Sequence, residues 1–156
     1  NLKLASGIAR VAALRARGVN VGLGTDGAAS NNRLDVLNEM RTAALLAKAQ
    51  GHDATALSAH EALAMATIAP ARALGLDREI GSISAGKSAD LVAVELSAFE
   101  TLPCYDVVSH LAYAAGREHV SHAWVGGDLR LEERRLAGID EADLHDKALW
   151  WQSRIS

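Results

Sequence analysis

The pattern of hydrophobic and polar positions predicts one helix, one strand and two further helices in the first half of the chain. Apolar positions at helical spacing over 8–17 predict the first helix, and apolar residues alternating with small or polar ones over 19–24 predict the strand. Helical spacing returns over 32–51, and again from Ser58 to Gly75. Glycine-rich strand ends beside long helices are typical of one unit of a parallel α/β layer.

Polar residues mark where these helices begin. Asn32 is the predicted N-cap of the second helix, with Asp35 three residues further on. Ser58 and Glu61 have the spacing of a capping box, which predicts the start of the third helix. Pro70 either interrupts that helix or begins a short following one.

The second half of the chain has shorter elements. Short strands are predicted over 80–83 and 90–95, and a short helix over 105–115. A last helix begins at Asp140, and one of its faces is apolar, so we expect it to dock on another surface. The apolar residues of that face are Leu144, Ala148, Trp151 and Ile155.

A β-hairpin is predicted over residues 118–133. Gly126 and Gly127 separate two extended runs there, which is the spacing that a two-residue primed turn requires. The chain therefore divides into three predicted units: an α/β unit over 1–75, a β-rich unit over 76–139 and a terminal helix over 140–156.

Composition narrows the function classes. The 156 residues are 49% hydrophobic and 22% charged, with a net charge of −3 and no basic block, so phosphate-driven nucleic-acid binding is not expected. Cys104 is the only cysteine, which excludes an internal disulfide and a cysteine metal cluster and favours a reducing, cytoplasmic setting. No apolar run reaches the roughly 20 residues of a membrane span.

Asp26 is the main candidate for chemistry, and its role stays open from the residues alone. Asp-Gly is a common turn pair, so a turn is the more frequent explanation. However, Asp26 follows the predicted strand at its carboxyl end, where parallel α/β folds bind ligands, and its small neighbours leave room for one. Ser30 and Asn31 could hydrogen-bond a substrate, although loop and capping roles suit them equally.

No histidine pair shows the spacing of metal ligands, so spacing alone completes no catalytic centre in this chain. His119 and His122 are three residues apart, but on a predicted strand they point to opposite faces. The other histidines are scattered: His52, His60, His110 and His145.

Three segments resemble the amidohydrolase superfamily: "NLKLASGIA" with "GVNVGLGTDGAASNN", "EALAMATIAPARALGLDREIGSISAGKSADLVAVEL", and "LAYAAGREHVSHAWVGGDLRLEERRL". The resemblance implies an α/β fold made of the C-terminal portion of a (β/α)8 metal-dependent hydrolase barrel, part of a small β-sandwich domain and a C-terminal helix. Within the superfamily, "KLASG" with "GTDGAASNN" is most similar to the 5-methylthioadenosine/S-adenosylhomocysteine deaminase group.

The resemblance implies roles for single residues. Asp26 matches a metal ligand that takes part in proton transfer, and Asn1 matches an asparagine near the substrate; Ser30 and Asn31 are weaker substrate-binding candidates. The expected cofactor is one zinc ion, or iron, with most of its ligands supplied upstream of Asn1. The segment alone is expected to be inactive, because it requires the N-terminal part of the barrel.

The implied reaction is hydrolytic deamination of an adenosine-like, nucleoside-type substrate, 5'-methylthioadenosine or S-adenosylhomocysteine, with release of ammonia. The alternatives are a triazine-type chlorohydrolase, a guanine or cytosine deaminase, or a non-catalytic structural module. The resemblance also implies a homo-oligomer. No nucleic-acid or membrane partner is expected.

Overall fold

Four helices form most of the first half of the protein. The structure, a computed structural model, describes residues 2–155. The helices are α1 (Val11–Ala16), α2 (Val36–Gly51), α3 (Ala59–Ala66) and α4 (Ile68–Ala73). They confirm the predicted helices, but the second one begins four residues later than expected.

The start of α2 corrects one predicted cap. Asp35, not Asn32, is the N-cap, and its side chain accepts a hydrogen bond from the amide of Asn38 at 3.1 Å. The residues before it form a turn, because Asn31 Oδ1 accepts from the amides of Arg33 and Leu34 at 3.2 and 3.3 Å. That turn prevents the helix from beginning at Asn32.

The capping box of α3 forms as predicted. The Ser58 hydroxyl accepts from the Glu61 amide, and the Glu61 carboxylate accepts from the Ser58 amide at 2.8 Å. The chain breaks at Thr67 (φ −130°, ψ −89°), and Pro70 lies in the short helix α4 that follows. Pro70 therefore belongs to a new helix, one of its two predicted roles.

The hydrophobic core lies between α2, α3 and α5 (Val107–Tyr113), the short helix predicted over 105–115. Ala112 of α5 is fully buried in this core, so a helix from the predicted second unit packs on the first. The boundaries of the three units stay a prediction. The other buried members are Met40, Ala44, Ala47, Leu57, Ala62 and Met65.

The extended segment, residues 19–24 of the predicted strand, forms neither a helix nor a β-strand with any described residue, so the strand predicted there is not found within residues 2–155. The amide of Leu23 donates to the carbonyl of Met65 at 2.8 Å, and the Asn20 side chain donates to the carbonyl of Ala69 at 2.8 Å. A parallel strand needs neighbouring strands, and the strands described below form a separate sheet. The segment thus rests on α3 and α4, while its backbone lacks strand partners among residues 2–155.

A four-stranded antiparallel sheet forms the second half, in the order β1-β2-β3-β4. Its strands are β1 (Leu91–Val94), β2 (Val120–Val125), β3 (Asp128–Glu132) and β4 (Arg135–Leu136), and 3₁₀ turns lie at Phe99–Thr101 and Arg117–His119. The hairpin is confirmed: Val125 pairs with Asp128, and Gly126 and Gly127 have φ of +60° and +88°.

The strand predicted over 80–83 is wrong, because a lysine folds this segment into a loop. The Lys87 Nζ donates to the carbonyls of Asp77 and Ile80. Asp90 accepts a hydrogen bond from the Gly126 amide at 2.7 Å. The Gly-Lys-Ser-Ala-Asp motif therefore ties the loop after α4 to the turn of the hairpin.

The last helix, α6 (Glu141–Ile155), carries the predicted apolar face, but its large side chains are exposed. Leu144, Trp151 and Ile155 are 51%, 57% and 79% exposed, so the surface on which this helix was expected to dock is not found among residues 2–155. None of the helices in that range combines the length and apolar character of a transmembrane span.

Candidate active site

Asp26 lies just after the extended segment 19–24, in a left-handed backbone conformation with φ of +59°. Aspartate is one of the few residues that tolerate this conformation. The conformation turns the chain sharply into Gly27 and leaves the carboxylate exposed to solvent. The sequence predicted Asp26 at the carboxyl end of a strand; in the structure it lies two residues after segment 19–24, which forms no strand within residues 2–155.

Two hydrogen bonds hold the Asp26 carboxylate, one on each oxygen. The Gly27 amide donates to Oδ1 at 2.8 Å, and the Ser30 hydroxyl donates to Oδ2 at 2.6 Å. The Ser30 hydrogen bond, and after it the Gly27 amide, lower the pKa of Asp26 below its usual value, because both stabilise the charged form. The carboxylate is therefore ionised at neutral pH.

The loop after Asp26 is braced on two further sides. Asn31 Nδ2 donates to Glu39 Oε1 of α2 at 2.7 Å. Lys3 Nζ donates to Asn32 Oδ1 at 2.6 Å and to the carbonyl of Ala29 at 2.9 Å. Three consecutive side chains, at positions 30–32, thus connect the loop to Asp26, to a helix and to the N-terminal segment.

Asp26 lies at a cleft with a volume of about 640 Å³. The cleft has both apolar and polar walls, as small-molecule sites usually have. Its apolar side comes from the N-terminal segment, the extended segment and the inner face of α2. Residues that line it include Leu2, Ile8, Val11, Leu23, Thr25, Asp26, Asn38, Glu39, Thr42 and Leu46.

The described residues form no complete metal site, although Asp26 fits the role of one ligand. A carboxylate suits zinc, and each Asp26 oxygen retains lone pairs beside its hydrogen bond. No histidine of residues 2–155 lines the cleft, and no group of three His, Cys, Asp or Glu side chains in that range could hold a metal. A zinc site here needs ligands from outside the described residues.

The predicted substrate-binding residues either form hydrogen bonds within the protein or lie outside the described residues. Ser30 is engaged with Asp26, and Asn31 is engaged with Glu39 and with the turn before α2. Their roles toward a substrate stay a prediction. Asn1 lies outside the described residues. The sequence analysis did not identify Glu39 and Lys3, which brace this loop. It also did not pair Asp26 with Ser30, although their separation of four residues was a signal for that contact.

Comparison with known proteins decides the family. The chain matches the amidohydrolase family over residues 1–130, which is most of its length. The chain belongs to the amidohydrolase family. The resemblance seen in the sequence is thereby confirmed.

Relatives within the amidohydrolase family include deaminases and a chlorohydrolase. A 5-methylthioadenosine/S-adenosylhomocysteine deaminase of Teredinibacter turnerae is 43% identical over 99% of this chain. An adenosine deaminase of Xanthomonas campestris, solved with bound zinc, is 53% identical with a TM-score of 0.95, also over 99% of the chain. An atrazine chlorohydrolase of Arthrobacter aurescens, complexed with zinc, is 28% identical with a TM-score of 0.85 over 95% of the chain.

The chain spans about a third of the length of these relatives. It covers 35% of the Teredinibacter and Xanthomonas proteins and 33% of the Arthrobacter protein. The matched part is the C-terminal third. A complete amidohydrolase of this kind therefore has about twice as much sequence outside the matched region as within it.

Proposed function

We propose that this chain is the C-terminal part of a metal-dependent aminohydrolase that deaminates an adenosine-like substrate, 5'-methylthioadenosine or S-adenosylhomocysteine. The observation that carries the proposal is the ionised carboxylate of Asp26, which accepts two hydrogen bonds and lies at a cleft. It occurs in a chain that is 53% identical to a zinc-bound adenosine deaminase. Hydrolysis breaks the C–N bond, replaces the amino group on the ring carbon by an oxygen from water and releases ammonia.

The proposed architecture places residues 1–75 at the end of a (β/α)8 barrel, 76–139 in a small β-sandwich and 140–156 in a terminal helix. Residues 19–24 would be a barrel strand, with Asp26 at its carboxyl end. Their lack of strand partners among residues 2–155 supports this assignment. Ligands of barrel enzymes bind at that end of the strands.

The proposed cofactor is one zinc ion, or iron, with Asp26 as one ligand and the other ligands from the preceding part of the protein. When bound, the metal supplies Lewis acidity and lowers the pKa of water. Asp26 is ionised at neutral pH, so a carboxylate oxygen can accept a proton from the attacking water. The same proton can then pass to the leaving amine, which departs as ammonia.

Hydrogen bonds from Gly27 and Ser30 keep the Asp26 carboxylate in one orientation during this transfer. Held groups react faster because their orientation is already fixed. The substrate-binding roles of Asn1, Ser30 and Asn31 stay predictions. Homo-oligomer formation also stays a prediction.

Dechlorination of a triazine is the second candidate, because the Arthrobacter chlorohydrolase shares the fold at a TM-score of 0.85. The identity of 28%, against 53% for the deaminase, favours deamination. The cytoplasmic location expected from the single cysteine stays a prediction.

The test is ammonia release by the natural protein that carries these residues, purified with zinc. The substrates are 5'-methylthioadenosine, S-adenosylhomocysteine, adenosine and guanine, with chloride release from atrazine measured in parallel. We expect ammonia from the first two at the highest kcat/KM. Chloride without ammonia would favour the chlorohydrolase, and neither product would favour a structural module.

A further inference from the structure

The hydroxyl of Ser30 has one hydrogen, and the geometry shows where it goes. Its oxygen lies 2.6 Å from Asp26 Oδ2 and 3.1 Å from the carbonyl oxygen of Gly27. Hydrogen bonds to an ionised acceptor are shorter and about twice as strong as neutral ones. The hydrogen therefore points to the carboxylate, and the Gly27 carbonyl is already bonded to the amides of Ser30 and Asn31.

Ser30 is itself held in place. The amide of Ser30 donates to the Gly27 carbonyl at 3.1 Å, and the amide of Asn31 donates to the same oxygen at 2.9 Å. The Asn31 side chain is fixed to Glu39 of α2 at 2.7 Å. The hydroxyl is thus presented to Asp26 by a turn anchored to a helix that belongs to the hydrophobic core.

Asp26 has no comparable support of its own. Its side chain is exposed, and its described polar contacts are those with Gly27 and Ser30. Because Gly27 is the next residue in the chain, its amide holds Asp26 Oδ1 relative to the adjacent backbone but does not connect the carboxylate to the rest of the fold. Without the Ser30 hydroxyl, the carboxylate could rotate about its side-chain bonds and present either oxygen to the cleft.

We propose that Ser30 is a positioning residue whose hydroxyl orients the Asp26 carboxylate for metal binding, a role that rests on the proposed function of Asp26 as a ligand. Groups that hold a metal ligand by hydrogen bonds commonly contribute 10–100-fold to metal affinity or activity. Ser30 would then act through Asp26, and the direct substrate contact predicted for it is the alternative that the following test separates from this role.

The test compares Ser30→Ala with Ser30→Thr in the natural protein, using zinc affinity measured by competition with a chromogenic chelator. We expect Ser30→Ala to bind zinc about 10–100-fold more weakly and to lose kcat, with KM unchanged. Ser30→Thr keeps the hydroxyl and should recover both. Ser82→Ala, an exposed serine on a remote loop, is the matched control and should equal the wild type. Circular dichroism confirms that each variant is folded.

Two results would overturn the inference: a Ser30→Ala variant that binds zinc as tightly as the wild type, or one whose KM alone rises, which indicates a substrate contact. The proposed function fails separately. A wild type that binds zinc but deaminates none of the substrates refutes that function, whereas the zinc comparison still decides the role of Ser30.

Discussion

Gly22, in the segment that leads to Asp26, has no space for a side chain beside Pro70 of α4. A Cβ atom at Gly22 would lie 2.8 Å from the Cβ and 2.9 Å from the Cα of Pro70 in α4. Ordinary van der Waals contact begins at 3.4 Å, so Gly22→Ala must open this gap by about 0.6 Å. Pro70 is rigid and lies within a helix, so the extended segment has to move.

Moving the segment weakens the hydrogen bonds that anchor it, from Leu23 to Met65 and from Asn20 to Ala69. Overpacking of this kind costs about 1–3 kcal/mol. The lower chain entropy of the unfolded alanine variant returns about 0.4–1 kcal/mol. Subtracting the second range from the first leaves about 0–2.6 kcal/mol, so we expect Gly22→Ala to lower the free energy of unfolding of the chain by about 1.3 kcal/mol, the middle of that range, or its Tm by about 3–5 °C.

Gly24 provides the matched control, two residues further along the same segment. A Cβ atom there meets no described atom within 4 Å, and the backbone is not left-handed. Gly24→Ala should leave the free energy of unfolding unchanged or raise it by up to about 1 kcal/mol. The assay is urea unfolding of both variants followed by circular dichroism. Equal unfolding midpoints for Gly22→Ala and Gly24→Ala would refute the close approach to Pro70.

The remaining predictions concern local structure. Ser58→Ala should lower the free energy of unfolding by about 1 kcal/mol in urea, because it removes the N-cap of α3, whereas Ser58→Thr should retain most of it. Hydrogen bonds from the Ser58 amide and hydroxyl lower the pKa of Glu61 below its usual value of 4.5, and Arg15 adds to this effect. The ionised Glu61 carboxylate therefore stabilises the fold above pH 4.5, and this stabilisation is lost as the pH falls through the folded-state pKa. Urea titrations should therefore show a flatter pH dependence below pH 4.5 for Glu61→Gln than for the wild type, and parallel curves would contradict this. Gly126→Val should destabilise the hairpin more than Gly126→Asn, because φ is +60° and asparagine tolerates it; equal unfolding midpoints would argue against this turn.

Local signals predicted the parts of the fold that depend on neighbouring residues. The hairpin follows from Gly126 and Gly127, whose left-handed backbone conformation suits a two-residue turn between β2 and β3. The capping box of α3 likewise needs only Ser58 and Glu61. Such features are determined by contacts within four residues, which a sequence displays directly.

Side-chain contacts with backbone groups explain the errors. Lys87 holds the carbonyls of Asp77 and Ile80, which turns the apparent strand over 80–83 into a loop. Asn32 and Asp35 are both good N-caps, and only the turn made by Asn31 selects the second. No periodicity in the sequence contains this information.

The candidate site was predictable in position but not in detail. Asp26 follows from the end of the extended segment, and the family resemblance adds its proposed chemistry. The hydrogen bond between Asn31 and Glu39 joins residues eight positions apart across a turn and a helix start, and no periodicity or cap motif indicates it. Residues 2–155 contain no group of three side chains that could hold a metal, so the proposed metal site depends on ligands from the preceding part of the protein.

The central claim is that Asp26 carries proton transfer and metal binding rather than forming only a turn. Its most direct test is kcat for Asp26→Asn in the natural protein, because asparagine keeps the size of the side chain and loses its charge. General acid–base catalysis contributes about 10²–10⁴-fold, so we predict that kcat falls at least about 100-fold while Tm is maintained. Near-normal turnover by a folded Asp26→Asn protein would contradict the account.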